Sequence, residues 1–170
     1  MVMDILNEDS NKYYLVCLNF GFYQRYIIWI SNDNDGVVVD NNRKILAFES
    51  EISVLDYASE KMLLIEGGVA IWDVYKLQQW LLEPCGDFDY ELFLNFWNLC
   101  TDVSVSTNLP FKGDIKSATR NKVYDKLFAI AGPFLSDRSD LILTDNELKI
   151  LHRVIEDGLK MLSENLMVLK

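Results

Sequence analysis

His152 is the only imidazole in the chain, and the only thiols are Cys17, Cys85 and Cys100. One histidine leaves a single candidate imidazole base and rules out a multi-histidine metal site. The three cysteines form no CxxC pair, no disulfide framework and no recognisable nucleophile signature. Cys17 and Cys100 fall in apolar segments, where a free thiol packs as a small hydrophobe. Cys85, between Pro84 and Gly86, is the one expected at the surface. A small enzyme built on Cys85 or a carboxylate would need the fold to bring Cys85 beside His152. His152 itself stands at the border between the apolar and polar faces of its helix, as an amphipathic surface residue does.

Other chemistries are weaker still. The run Asp33-Asn34-Asp35-Gly36 invites a calcium loop, but with Gly36 at the sixth position Ser31 is first and Asn42 twelfth. The bidentate glutamate such a loop needs is missing, and strands flank it where helices should. A polar hairpin turn accounts for the same residues. Gly67-Gly68 lacks the Lys-Ser/Thr of a phosphate loop, and GxGxxG, GxSxG and HExxH are absent. The expectation is no catalytic residue, no cofactor and no metal.

A charge feature is more specific. Between Lys76 and Lys112 the sequence has no basic residue, yet Glu83, Asp87, Asp89, Glu91 and Asp102 fall there. Glu83, Asp87, Asp89 and Glu91 surround the start of one helix, where carboxylates complement the helix dipole. They also ring Phe88 and Tyr90, and an aromatic anchor among acids suits docking of a basic partner. Asp33 and Asp35 are the second candidate contact.

The elements that position these residues are legible. Tyr13–Phe20 and Tyr23–Ile30, with Gly21 between them, read as strands rich in β-branched and aromatic residues. Val37-Val38-Val39 and Lys44–Phe48 follow, separated by Asp/Asn/Gly turns, which makes an antiparallel β-meander over 13–48. Helices are expected over 50–166. Ser50 caps the first, running to about Met62 with Ile52, Leu55, Ala58 and Met62 near one side. Asp73 caps the second through Leu82, bringing Val74, Leu77 and Leu81 together. Asp87 starts the third, to about Val103, apolar around too much of its circumference for a surface helix. A loop over Ser104–Ala118 precedes a helix from Thr119 to Ile130, and Thr144 with Glu147 forms the capping box of the last. Trp29, Trp72, Trp80 and Trp97 read as core. The fold class is thus α+β in one domain, 1–170: an N-terminal meander packed against four to five helices.

Composition bounds the function. Of 170 residues half are hydrophobic and 12% aromatic, which suits a packed core. With 26 acidic against 16 basic residues the formal net charge is −10. That sign opposes nucleic acid and anionic membranes and steers basic proteins inward. No apolar run approaches the roughly 20 residues that span a bilayer, and the N-terminus has no signal-peptide pattern, so a cytoplasmic protein is expected.

Three segments carry a resemblance: Leu94-Asn95-Phe96-Trp97-Asn98-Leu99-Cys100-Thr101-Asp102-Val103, then Asn121-Lys122-Val123-Tyr124-Asp125-Lys126-Leu127-Phe128, then Glu156-Asp157-Gly158-Leu159. In this order, after Asp87, they resemble bacterial immunity proteins encoded beside polymorphic toxins, including contact-dependent growth inhibition systems. The resemblance covers less than half the chain and falls on packing residues. It implies a cytoplasmic antidote that binds a cognate toxin domain and covers its active site or blocks substrate access. Many such toxins are nucleases with basic clefts, which an acidic protein can occupy. The competing expectation is a non-catalytic adaptor or structural subunit whose acidity serves solubility.

Overall fold

The computed structural model describes residues 11–84, 89–132 and 142–169. Strands β1 (Lys12–Asn19) and β2 (Gln24–Ser31) pair antiparallel along their whole length. Gly21 turns the chain between them at φ 86°, and a Cβ there would lie 2.9 Å from Tyr75 Cδ2, so backbone freedom and close packing both demand glycine. Strands β3 (Gly36–Val37) and β4 (Ile45–Phe48) each pair antiparallel with β2; a meander predicts the first pairing, whereas β4 lies beside β2 and not as the next strand after β3.

The sheet is mixed, which corrects the purely antiparallel expectation. Strand β5 (Ala70–Trp72) pairs parallel with β1, and β6 (Leu166–Leu169) pairs parallel with β4. The order β5-β1-β2-β4-β6 puts these two late strands at the edges. Both come from the half of the chain read as helical. Their partners are far away in sequence, so no local period announces them.

Side-chain parity explains why β1 buries Leu15, Val16, Cys17 and Leu18 in succession. Val16, Leu18, Ile27, Ile45 and Ala47 face the main core, whereas Leu15, Ile28, Leu46 and Phe48 face a smaller one. Helix α1 (Glu51–Glu60) covers that smaller core with Val54 and Ala58. Ser50 caps it in a reciprocal capping box with Ser53. Of the four residues expected near one side only Ala58 points inward: Ile52 is 72% and Met62 91% exposed, and Leu55 is exposed as well.

The other four helices cover the opposite face: α2 (Val74–Leu82), α3 (Tyr90–Thr107), α4 (Ala118–Ala131) and α5 (Asp145–Asn165). Asp73 and Thr144 cap α2 and α5 as read from the sequence. Helix α3 is the central one, burying residues over more than half of its circumference, among them Phe93, Phe96, Trp97, Leu99 and Cys100, and leaving Glu91, Asn98 and Val105 on one exposed stripe. It begins after Asp89 and runs a turn beyond Val103, so Ser104–Thr107 are helix and not loop. Ser106 and Thr107 donate back to the carbonyls of Asp102 and Val103, and Asn108 ends the helix at φ 58°. A single 3-10 turn, Lys112–Asp114, leads to α4.

Trp80 and Trp97 are buried; Trp29 and Trp72 are half-buried against the main core. Helix α5 meets α3 at Gly158, where a Cβ would lie 2.6 Å from Cys100 Sγ and 2.9 Å from Phe96 Cε1. Among the described residues no helix is long and apolar enough to cross a membrane.

Candidate partner-binding cleft

Strand β5 is three residues long and, among the described residues, has a neighbour on one side only, β1. Ala70 is exposed and Ile71 is 68% exposed, so an apolar edge faces solvent. Asp73 follows at once, its carboxylate accepting from Lys76 N at 3.2 Å. Across from it lies the start of α3, where Asp89 accepts from Leu92 N at 3.1 Å. Together Ala70, Ile71, Trp72, Asp73, Asp89, Glu91, Leu92 and Asn95 line an open cleft of about 460 Å³. Three carboxylates therefore border an unpaired strand edge with an exposed isoleucine.

These carboxylates differ in what the fold asks of them. Asp73 and Asp89 each cap a helix, and Asp89 also pairs with Lys76 at 3.6 Å. Lys76 thus folds back onto the stretch that lacks basic residues. Glu91 is exposed in the first turn of α3 and, among the described residues, holds no cap or ion pair, so it is the described carboxylate most available to a partner. Tyr90 is half-buried against the main core. Asp87 and Phe88 lie outside the described residues, as does Cys85. Glu83 is exposed at the C-cap of α2 and is absent from the described lining of the cleft.

Asp102 does not belong to this acidic group. It lies more than two turns along α3, where its Oδ2 accepts from Trp29 Nε1 at 2.8 Å. Ser106 Oγ then accepts from Val37 N at 2.9 Å, fastening β3 to the same helix. Burial pushes the Asp102 carboxyl up to about 6 from an ordinary 3.8; the Trp29 N–H opposes this, and Asp35 and Asp114 add to it. A raised carboxyl binds protons more tightly when folded, so stability falls as pH rises from about 4 to about 6 and then levels off. Asp102→Asn keeps an acceptor for Trp29 and removes the charge. It is expected to add about 1 kcal/mol at pH 7.5, after discounting for the half-exposed site, and almost nothing at pH 4. Urea unfolding at the two pH values measures this.

Asp35 lies near enough to Asp102 to act on it, and its Oδ1 accepts from Asn32 N at 3.2 Å within the hairpin turn. Asp33 is exposed. Asp35 thus sits by the later turns of α3, while the cleft is at its start. No group of three or more His, Cys, Asp or Glu side chains that could hold a metal occurs among the described residues. Cys17 and Cys100 are buried. His152 Nε2 lies 3.2 Å from Leu81 O, with its ring beside Trp80.

The sequence reading missed Ile71 and Trp72 as cleft residues. The available signal was an apolar triplet, Ala70-Ile71-Trp72, between a Gly-Gly break and a helix cap. Such a short strand is visible only once β1 is known to lie beside it.

No protein-family model and no curated protein matches the chain. Among solved structures the chain is similar to the C-terminal domain of SatS, crystallised in complex with bromine. The TM-score is 0.54 at 13% identity, over 92% of this chain and 94% of that one. At that identity the likeness concerns the fold alone.

Proposed function

We propose that this protein is a cytoplasmic immunity protein, a non-catalytic inhibitor that binds a basic toxin domain, most simply a nuclease, through the β5 cleft. The observation that carries the reading is the juxtaposition of Glu91, Asp89 and Asp73 with the exposed Ile71 on an unpaired strand edge. An apolar anchor point supplies affinity, and surrounding carboxylates supply attraction and orientation for a cationic partner. The net charge of −10 extends that attraction beyond the cleft. The resemblance of the α3–α5 segments to immunity proteins of polymorphic toxins supplies the kind of partner.

The test is co-purification with the product of the neighbouring upstream gene, then calorimetry on the pair. A one-to-one complex of about nanomolar affinity, with loss of the neighbour's toxicity, is expected. Glu91→Lys combined with Ile71→Asp changes no cap, and is expected to weaken that complex about thirtyfold, or about 2 kcal/mol. Unchanged affinity would remove the cleft as the interface. No complex at all would overturn the inhibitor reading and put an adaptor role ahead of it.

A further inference from the structure

The outer side of α1 carries a second set of features that packing does not account for. Val54 and Ala58 hold this helix on β2 and β4. Spacings of three and four residues place Ile52, Leu55 and Ser59 along one stripe away from that contact. Met62 continues the apolar line just past the helix end; Ile52 is 72% and Met62 91% exposed. The line runs roughly 15 Å.

Charge and backbone both work against the helix here. Asp56 and Glu60 flank the stripe four residues apart, a like-charged pair that repels. Glu60 stands in the last turn, which has no basic residue, where the helix dipole favours a cation. Neither carboxylate has an ion pair among the described residues. At the C-terminus Met62 N donates to Ser59 O and Leu63 N to Ala58 O, closing the helix in the manner that places a left-handed residue at position 62. Glycine suits that position; here it is methionine at φ 55°, with its side chain in solvent. Methionine at a strained position, exposed beside unpaired acids, is costly for the free protein and well suited to contact.

We propose that the outer stripe of α1 is a docking surface for a basic amphipathic helix of a partner protein, with Ile52, Leu55 and Met62 meeting its apolar face and Asp56 and Glu60 its cations. A helix matches the stripe in length and in side-chain spacing, and opposite charge on its flanks relieves the Asp56–Glu60 repulsion. This surface lies across the sheet from α2–α5 and requires no toxin, so it stands or falls apart from the inhibitor reading.

The experiment is an amide NMR titration of the full chain with a synthetic leucine–lysine amphipathic helix of about 18 residues. A leucine–glutamate peptide of the same pattern serves as control. Saturable shifts centred on residues 49–64 are expected with the lysine peptide only. Ile52→Asp with Met62→Asp should weaken binding by about tenfold or more. Asp56→Lys with Glu60→Lys, which reverses the charge beside the stripe and puts a cation in the last turn of the helix, should weaken it comparably and reduce its salt dependence. Glu91→Lys should leave it unchanged. Absence of saturable binding up to about 1 mM, shifts centred on the β5 cleft, or equal binding of the glutamate peptide would each overturn the proposal.

Discussion

Replacing Glu147 by alanine is expected to lower the unfolding free energy by about 3 kcal/mol at neutral pH. The side chain is only 3% exposed, in the first turn of α5. Its Oε2 accepts from Lys126 Nζ at 2.7 Å and from Thr144 N at 2.8 Å, and Lys122 Nζ lies 3.4 Å from Oε1. One carboxylate therefore closes the α5 cap and ties α4 to it. Burial alone would raise its pKa, but the Lys126 hydrogen bond, the Thr144 N–H and the Lys126 charge together bring it down to about 2 from 4.5.

The sign follows from which state holds the proton. The unfolded chain binds it more tightly, so the stabilisation is complete above pH 4.5 and is lost as pH falls toward 2. Alanine leaves the nearly buried Lys126, its side chain 14% exposed, without its carboxylate partner. Glu147→Gln keeps an acceptor for Thr144 N and should fall between the two. Denaturant unfolding from pH 7 to pH 3 tests both statements; a constant difference between wild type and Glu147→Ala would sink the charge account.

Gly158→Val is expected to be as damaging, costing about 3 kcal/mol and lowering Tm by roughly 10 °C. The added Cβ meets Cys100 Sγ and Phe96 Cε1, and both of those residues are fully buried, so neither can swing into solvent. Gly158→Ala should cost less, because alanine recovers about 1 kcal/mol of helix propensity. Thermal unfolding of the pair distinguishes close approach from flexibility: if alanine stabilises the protein, crowding at α3 is not what glycine provides.

The sequence made the fold legible wherever local chemistry decides structure. The Ser50, Asp73 and Thr144 caps, the β1–β2 hairpin and the central place of α3 each depend on residues within a few positions of one another. Strands β5 and β6 escaped because each is recruited by a distant partner. Helix α1 misled for another reason. Of the residues its spacing groups together, Ile52, Leu55 and Met62 lie on the solvent side, and two modest residues, Val54 and Ala58, are enough to seat it. The acids at the start of α3 were visible as a cluster. What the sequence withheld was that Asp73 and Ile71 lie opposite them, that Asp102 belongs to Trp29, and that Asp89 caps α3 while Glu91 caps no helix.

Strand β6 also sets an order of events during synthesis. Lys44 Nζ bonds Asn165 Oδ1 across 121 residues of sequence, and β4 gains its outer neighbour only when residues 166–169 have been made. At roughly 5–20 residues per second the ribosome leaves that edge open for about ten seconds. Through that interval the β4 segment Ile-Leu-Ala-Phe offers a short apolar template to any extended chain nearby. The nascent protein is therefore open to mispairing from the time its hairpin has formed until its second edge is sealed.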